Sequence, residues 1–575
     1  MPLADFAVET YARAPYGIPQ SRLVNMYCED TPQGPGSQAR LPRPGLVKQY
    51  SVGTGPIRGV FWKDGVVEAA RYAVSGTEVY AGQTKIGDVA AGSRAYMAGS
   101  NSQLGIVIGG NLYCWDGVTF QHVQYFFVQA TATLTLTANP SAGEAVAINV
   151  QVYTFVSALT GDNQVVLGAT AVASLGNLIA AINGGTGRGT VYSSNIPVNS
   201  VCTAAIGAGT TMGITSIVYG IAGTAYLLED TLVNGTWDGE TAGGVDPLPS
   251  FSGITYGAER FYLTITDSDQ YDYCNLSDLT QIDPLNFATA ESEPDPNRQV
   301  AEIGDEVWFF GTETVEPWYQ TGNNDAPLQR SQGRRFEKGC AAQATVLTVD
   351  NALFFLGSDN IVYRSGQVPV RISTHGIESQ INKCADVTTC FAFQVNYAGH
   401  TFYVLTAPGV ASFAYDVAKS QWSEWQSYGR TEFIASCGQM VMAQPYLGSG
   451  VDGSIYTLSD TANTDDGQPM TLLASVYIPV KAGRAVNNSL MIQCSRGLGA
   501  AGQCPPVVSA RYSDDQGRTW SPWRDRSLGV MGEYRRKAIW RNLGLMESPG
   551  RYVEFRTTDP VPVAYEYVTF NEARP

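Results

Sequence analysis

The chain has 575 residues, of which 44% are hydrophobic and 15% are charged. This length predicts about two to four domains with sizeable cores, and so few charges are more typical of extracellular, viral and fibrous β-proteins than of cytosolic enzymes. The formal net charge of −16 argues against a protein that binds nucleic acid by neutralising its phosphates.

The N-terminal stretch, MPLADFAVETYARAPYG, has no basic region followed by an apolar one, so the sequence predicts no secretory signal. The most apolar stretch, Ile214 to Leu228, is too short and too rich in glycine to span a bilayer. The ten cysteines are scattered and form no Cys-x-x-Cys pair, which favours buried free thiols over disulfides.

Short aromatic strands separated by Gly or Asp turns recur in two regions, 1–127 and 246–469. Examples are GGNLYCWDG, GDEVWFFGTETVEPWYQTG and GHTFYVLTAPGVASFAYDVAKSQWSEW. Their period-two alternation predicts β-strands, and units of about 40 to 50 residues favour the blades of a β-propeller. We therefore expect an N-terminal segment with the first blades in 1–127 and the remaining blades in 246–469. A β-sandwich with similar hairpins is the alternative.

Residues 128–245 have a different composition, with no Lys, no His and Arg188 as the single Arg. The change predicts a small α+β domain inserted into a loop of the β-scaffold. One helix is expected there, capped by Ser174 and ended by Asn183-Gly184. Its apolar face is formed by Leu175, Leu178, Ile179 and Ile182.

The last region, 470–575, abandons the blade pattern for longer strands such as TLLASVYIPV and RYVEFRTTDPVPVAYEYVTFNE. These strands predict a separate β-sandwich-like domain. Its charge balance also differs, because residues 505–575 include 11 basic and 9 acidic side chains in an otherwise acidic protein.

The phrase SDDQGRTW within this domain fits the Asp-box pattern S-x-D-x-G-x-T-W, carried by Ser513, Asp515, Gly517 and Trp520. The Asp515 carboxylate can accept hydrogen bonds from turn amides and Gly517 permits a positive φ. Trp520 is expected to anchor the hairpin in a core. We interpret the motif as a structural hairpin.

No pattern in the chain predicts catalysis or metal binding. The three histidines, His122, His375 and His400, have no metal-ligand spacing and are expected to be ordinary blade residues. GLGAAG (497–502) runs directly into Cys-Pro-Pro, so no helix can follow it and a flexible turn is expected. The acidic turns 266–272 and 460–467 do not fit a calcium loop. We expect no catalytic residue, no metal, no cofactor and no enzymatic turnover.

The densest basic group comprises Arg535, Arg536, Lys537 and Arg541, with Arg524 and Arg526 nearby. Two interpretations are open for it. It is either a solvated strand face or a docking patch for an acidic partner subunit or for DNA.

Three phrases near the N-terminus, SRLVNMYCED, LPRPGL and GPIRGVFW, follow one another in an order that resembles the opening of the tail nozzle proteins of short-tailed phages. These are also called packaged-DNA stabilisation or tail hub proteins. The matching positions are Arg22, Val24, Asn25, Tyr27, Pro44, Gly45, Leu46, Arg58 and Gly59. The similarity continues through the blades to IWRNLG and RYVEFRTTDP. The inserted region separately resembles display modules of phage tail and fibre proteins.

The resemblance implies a structural virion protein of the phage tail, assembled in the host cytoplasm. It would form a homohexameric ring below the portal and adaptor, extend the DNA channel, and help to retain and then release the packaged genome. The implied partners are its own copies, the head-to-tail adaptor, tail fibres or tailspikes, double-stranded DNA in passage, and the host cell surface through the insert.

The acidic balance of the chain adds the expectation of a predominantly acidic channel wall, along which DNA would slide without adhering. The alternative function is a carbohydrate-binding propeller, either a lectin or a glycosidase. The scarcity of histidine and the single Asp-box disfavour the enzyme, while the abundant aromatic residues remain compatible with a lectin.

Overall fold

The computed structural model describes residues 3–12, 21–31, 36, 38–67, 70–92, 94–123, 129–220, 223–244, 248–280, 282–283, 285–290, 294–480, 483–499 and 504–573. The chain divides into two compact units: Met1–Val123 with Ser250–Pro575, and Gln124–Pro249. The expected ends of the insert, Val128 and Val245, lie outside the described residues, as do positions 500–502 of GLGAAG. The predicted mainly-β fold is confirmed, since strands account for 51% and helices for 5% of the residues.

In the part of the chain that the structure describes, five strands precede the first blade. They are β1 (Leu3–Ala4), β2 (Leu23–Val24), β3 (Met26–Asp30), β4 (Gln38–Pro42) and β5 (Gly45–Ser51).

Blades 1 and 2 are antiparallel meanders in which each strand pairs with the next along the chain. Blade 1 contains β6 (Ile57–Phe61), β7 (Tyr72–Ser75), β8 (Glu78–Ala81) and β9 (Thr84–Asp88). Blade 2 contains β10 (Ala95–Gly99), β11 (Leu104–Ile108), β12 (Asn111–Trp115) and β13 (Phe120–Val123).

The described residues of the second unit form two four-stranded sheets and one helix. The sheets have the strand orders β18-β19-β14-β21 and β17-β16-β15-β20. The elements are β14 (Gln129–Leu136), β15 (Ala145–Ile148), β16 (Gln151–Val156), β17 (Gln164–Val166), α1 (Ala171–Asn183), β18 (Cys202–Ile206), β19 (Thr211–Tyr219), β20 (Leu228–Asp230) and β21 (Gly235–Trp237). Helix and sheets share one hydrophobic core.

Helix α1 begins earlier than the sequence predicts, because Thr170 and not Ser174 is the N-cap. The Thr170 hydroxyl accepts a hydrogen bond from the backbone N–H of Ala173 at 3.2 Å. Ser174 lies inside the helix, where its buried hydroxyl donates to Asn139 at 2.6 Å. The predicted end is correct, since Gly184 adopts the left-handed conformation with φ of 66°.

Blades 3 to 7 repeat the meander. Blade 3 contains β22 (Phe251–Gly257), β23 (Arg260–Ile265), β24 (Gln270–Tyr273) and β25 (Phe287–Thr289), and blade 4 contains β26 (Asn297–Ile303), β27 (Glu306–Gly311), β28 (Val315–Gln320) and β29 (Leu328–Arg330). Blade 5 contains β30 (Leu347–Val349), β31 (Ala352–Leu356), β32 (Val362–Ser365) and β33 (Pro369–Arg371), and blade 6 contains β34 (Phe391–Tyr397), β35 (His400–Ala407), β36 (Ala411–Asp416) and β37 (Gln421–Trp425). Blade 7 contains β38 (Ala435–Val441), β39 (Gln444–Ser449) and β40 (Ser454–Ser459). Helix α2 (His375–Ile381) connects blades 5 and 6.

The first strand of each blade faces the central axis, and these strands follow one another around a closed ring. The order is β6, β10, β22, β26, β30, β34 and β38, and β38 packs against β6 again. The N-terminal strand β5 pairs with β40 as the fourth strand of blade 7, with Leu458 opposite Leu46. The described residues therefore form a seven-bladed propeller whose last blade is completed by the start of the chain.

The C-terminal region adds β41 (Thr464–Asp465), β42 (Gln468–Pro469), β43 (Leu472–Pro479), β44 (Arg484–Cys494), β45 (Val507–Ser513), β46 (Arg524–Ser527), β47 (Ala538–Arg541), β48 (Leu545–Glu547), β49 (Gly550–Thr557) and β50 (Tyr565–Ala573). The run β43-β49-β45-β46 forms one layer of a β-sandwich, and β50-β44-β47 lies in the other. Strands β1, β3 and β4 extend the second layer, and Phe6, Leu23 and Met26 lie in the sandwich core. The N-terminal segment thus belongs to the sandwich as well as to the propeller.

All ten cysteines are free thiols, and nine of them are buried as expected. Cys504 is the exception, because it lies exposed in the loop before β45. Burial raises the pKa of the Cys28 thiol to about 11, which keeps it protonated and unreactive near neutral pH. Neither helix among the described residues is long and apolar enough to cross a membrane.

We expect the insert to be dispensable for folding of the propeller and sandwich, because it has a core of its own. Replacing residues 124–249 by a short Gly-Ser linker should leave a soluble protein with a cooperative thermal transition. Circular dichroism and differential scanning calorimetry measure this outcome. The isolated segment 124–249 should fold as well; aggregation of the shortened scaffold would show that the insert completes its core.

Candidate functional site

Strand β2 joins the propeller to the sandwich in one continuous sheet. Val24 pairs in parallel with Glu424 of blade 6, and Leu23 pairs antiparallel with Ala474 of the sandwich. The resulting sheet has nine strands, β34 to β37 followed by β2, β43, β49, β45 and β46. The phrase SRLVN is therefore located at the junction of the two domains.

Arg22 strengthens this junction from the edge of β2. Its guanidinium binds the Glu424 carboxylate, with 2.8 Å between Nη2 and Oε2 and 3.4 Å between Nε and Oε1. Its backbone N–H donates to the Ser475 hydroxyl at 2.7 Å. One residue thus holds a blade strand and a sandwich strand at once.

Asn25 is the polar centre of the junction. It is fully buried and has a left-handed backbone with φ of 54°, which asparagine tolerates better than most residues. Its Nδ2 donates to the carbonyls of Gln426 at 3.0 Å and Thr471 at 2.9 Å. Its Oδ1 accepts from Arg43 Nε and from the Gln426 N–H, both at 2.9 Å. The amide thereby uses all four of its hydrogen-bonding positions.

Arg43 forms a buried ion pair with Asp465. The distances are 3.0 Å from Nη1 to Oδ1 and 2.6 Å from Nη2 to Oδ2, and the side chains are 0% and 4% exposed. The guanidinium also donates to the carbonyls of Pro44 and Gln426, and it lies 4.8 Å from the centre of the Phe433 ring. Sequence reasoning missed both charged residues, although Arg43 lies inside LPRPGL.

The remaining motif residues support neighbouring parts of the propeller. Tyr27 packs edge-on against the His400 ring at 4.9 Å. A Cβ atom at Gly45 would lie 2.3 Å from a backbone oxygen of Thr464, so only glycine fits where β5 begins. Pro44 supplies a carbonyl to Arg43. Arg58 and Gly59 are distant in the fold from this junction and lie on β6.

Gly59 permits blades 1 and 2 to approach each other closely. A Cβ atom there would be 2.6 Å from the backbone oxygen of Ala95 and 2.9 Å from the methyl group of Met97. The glycine of the GPIRG phrase is therefore a packing requirement of the inner strand ring.

The Asp-box forms a self-contained hairpin turn. The Asp515 carboxylate accepts hydrogen bonds from the hydroxyl and N–H of Thr519, at 2.6 and 2.8 Å, and from the Ser513 hydroxyl at 2.7 Å. These bonds lower the pKa of Asp515 to about 2. Gly517 has the expected positive φ, 85°.

The expectation that Trp520 anchors the hairpin in a core is wrong. Its ring is partly exposed and covers the Arg511 guanidinium at 4.4 Å, while its indole N–H donates to the Gly517 carbonyl at 3.1 Å. The cation of Arg511, which also pairs with Glu554, occupies the space that apolar core residues would need.

The basic group is exposed as a whole. Arg536 pairs with Glu533 at 2.9 Å, whereas no ion pair involves Arg535 or Lys537 among the described residues. Two large apolar side chains of the same loop, Met531 and Tyr534, are 68% and 63% exposed. Exposed Tyr, Met and Arg side chains together are typical of protein interfaces, which favours docking over a merely solvated face.

The three histidines occupy three different environments. His122 stacks on Tyr113 in blade 2 at 4.7 Å, and the buried His400 binds Asp416 across two strands of blade 6 at 2.6 Å. His375 differs from expectation, because it begins helix α2 and does not lie on a blade strand. Among the described residues, no group of three or more His, Cys, Asp or Glu side chains could hold a metal ion.

We expect Asp465→Ala to lower the free energy of unfolding by about 3–5 kcal/mol, because it leaves the Arg43 charge buried without its partner. Urea denaturation followed by tryptophan fluorescence measures the change. Glu547→Ala is the matched control. It breaks an exposed pair with Arg484 and should cost less than about 1 kcal/mol. Equal effects of the two variants would contradict a structural role for the buried pair.

Two matches to families of known proteins together cover nearly the whole chain. The family described as bacteriophage P22 Gp10, beta-propeller, matches residues 14–164 and 189–461. The family described as bacteriophage P22 Gp10, beta-sandwich, matches residues 471–571. No curated protein resembles the chain at a significant level.

Solved structures share only a weak likeness. The computationally designed Ika8 protein is 11% identical, with 72% of this chain and 99% of that chain covered and a TM-score of 0.31. The exo-β-1,3-galactanase of Phanerochaete chrysosporium is 10% identical, with 57% and 97% covered and a TM-score of 0.23. Values this low carry no argument about function. The two family matches cover most of the chain and both domains, and the chain therefore belongs to the bacteriophage P22 Gp10 family of structural phage tail proteins.

Proposed function

We propose that this tail protein forms the nozzle ring, a homohexamer that extends the DNA channel below the portal and adaptor and helps to retain and then release the genome. The observation that carries the proposal is the match of both the propeller and the sandwich to one phage tail family. A structural role also agrees with the buried polar side chains Asn25, Arg43 and Asp465, which bind one another and hold the propeller and the sandwich together.

A closed ring of identical subunits requires two different surfaces on each chain that complement each other. The exposed loop with Met531, Tyr534, Arg535 and Lys537 supplies a cationic and partly apolar surface. The chain as a whole is acidic, with a net charge of −16. We propose that this loop docks on an acidic face of a neighbouring subunit or of the adaptor.

The same acidic balance suits a channel through which DNA passes. A wall of like charge denies DNA the counterion release that drives adhesion, and screening restricts its effect to about 8 to 10 Å at physiological salt. We propose that acidic side chains predominate along the lumen of the ring. The inserted domain, with one Arg and no Lys or His between positions 128 and 245, is proposed to be displayed towards the host cell surface or the tail fibres.

Electron microscopy of the purified protein at high concentration, and of particles that contain it, tests the ring. Six-fold rings with a central hole are the expected result, with native mass spectrometry giving six copies. A protein that stays monomeric in particles and binds a glycan array would overturn the nozzle assignment in favour of a lectin.

Charge reversal tests the docking loop separately. The double variant Arg535→Glu, Lys537→Glu should impair ring formation or joining to the tail by ~10-fold or more, because neither side chain has an ion-pair partner within the described residues. Arg518→Glu, at an exposed site on the Asp-box hairpin, is the control and should assemble normally. Normal assembly of the double variant, with genome ejection slowed, would instead indicate a DNA contact.

A further inference from the structure

We propose that one mouth of the propeller's central channel binds a phosphate-type anion, free or as the monoester of a small molecule, through Arg58 and Arg94. This site lies apart from the domain junction and from the docking loop, and it does not depend on the proposed hexameric ring of subunits. Its evidence is a repeated backbone irregularity, an acid-free cavity and an arginine nitrogen without a partner.

Four of the seven inner strands carry a β-bulge at the same place, their second residue. The bulged residues are Arg58, Ser252, Arg298 and Ser436. A bulge removes a residue from the strand pairing and redirects its side chain, and bulges are frequent beside functional sites. Because the inner strands run in the same direction around the ring, these positions lie at one end of the channel, and two of them, Arg58 and Ser436, line the cavity there.

A cavity of about 400 Å³ opens at this end. Its polar lining includes Arg58, Arg94, Thr388, Thr389 and Ser436, and none of the described residues that line it is acidic. The nearby Asp386 is exposed and accepts hydrogen bonds from the N–H and hydroxyl of Thr388. Two guanidinium groups around an acid-free cavity are unusual for a chain with a net charge of −16.

Arg58 has hydrogen-bonding capacity that the protein leaves unused. Its Nε is buried and has no hydrogen-bond partner, and no ion pair involves the side chain among the described residues. A buried donor without a partner lowers stability unless a ligand or water satisfies it. An oxyanion is the ligand that guanidinium groups bind best, since their N–H groups match its oxygens in pairs.

Arg94 completes the cationic wall. Its guanidinium lies 4.1 Å from the centre of the Phe391 ring and donates to the backbone carbonyl of Ser436 at 2.5 Å. Burial lowers the pKa of Arg94, so an anion beside it would offset the cost of desolvation. Its contacts hold the side chain in place before any ligand arrives.

The dimensions of the cavity restrict the ligand class. A cavity of about 400 Å³ is far too small for a segment of duplex, whereas a phosphate group with several waters fits it. The apolar side chains of Pro56, Ile57 and Phe391 line the same cavity and could contact a small organic group esterified to the phosphate.

Isothermal titration calorimetry with inorganic phosphate, at constant ionic strength set by chloride, tests the site. We expect saturable binding of one phosphate per chain, weakened ~10-fold or more in Arg58→Gln and in Arg94→Gln. Arg364→Gln is the control, because this partly exposed arginine of blade 5 lies outside the cavity and pairs with Asp350. Glycerol phosphate in a second titration distinguishes the sources: tighter binding than phosphate indicates an ester, equal binding indicates the free anion.

The thermal midpoint without phosphate separates ligand binding from a structural role for Arg58. Phosphate should raise the thermal midpoint of the unaltered protein, because a ligand that binds only the folded state stabilises it. If Arg58 serves the ligand, Arg58→Gln should abolish this rise and leave the midpoint without phosphate unchanged or higher. A lower midpoint with an unchanged phosphate response would assign Arg58 to the fold and overturn the proposal. Absence of saturable phosphate binding to the unaltered protein would overturn it as well. Arg58→Gln decides the question even if Arg94→Gln does not fold.

Discussion

The buried cluster of Asn25, Arg43 and Asp465 is the interaction on which the arrangement of propeller and sandwich depends. Arg43 is removed from water and uses every one of its donors on Asn25, Asp465 and two backbone carbonyls. A buried charge is tolerated only when it is satisfied in this way. The cluster therefore admits one arrangement of the chain segments that meet there, and any other would leave a charge or an amide unpaired.

The chain segments around this cluster both attach the sandwich to the propeller and close the ring of blades. Strand β2 joins blade 6 to the sandwich, and β5, which begins just after Arg43, completes blade 7. Closure of the ring and attachment of the sandwich thus rest on the same stretch of chain, so we expect the two to form cooperatively. The inserted unit contrasts with this design, because its core is built from its own helix and sheets.

Two groups of basic residues in this acidic protein lie in different surroundings. In the sandwich, Arg535 and Lys537 stand on an exposed loop beside Tyr534. In the propeller, Arg58 lies at a β-bulge and lines a cavity together with Arg94. The first lies on an exposed loop and suits contact with a large acidic surface, whereas the second lines a cavity of about 400 Å³ and suits a small anion.

The sequence by itself determined the features that depend on neighbouring residues. Period-two aromatic strands predicted the blades, the change of composition marked the insert, and Gly184 ended its helix. The tertiary structure alone decided which residues meet. Arg43 and Asp465 are 422 positions apart, and nothing in either local pattern distinguishes a buried pair from two surface charges. The closing role of β5 and the position of Arg58 beside residues of other blades are likewise consequences of ring closure, which brings distant strands together only once all seven blades are in place.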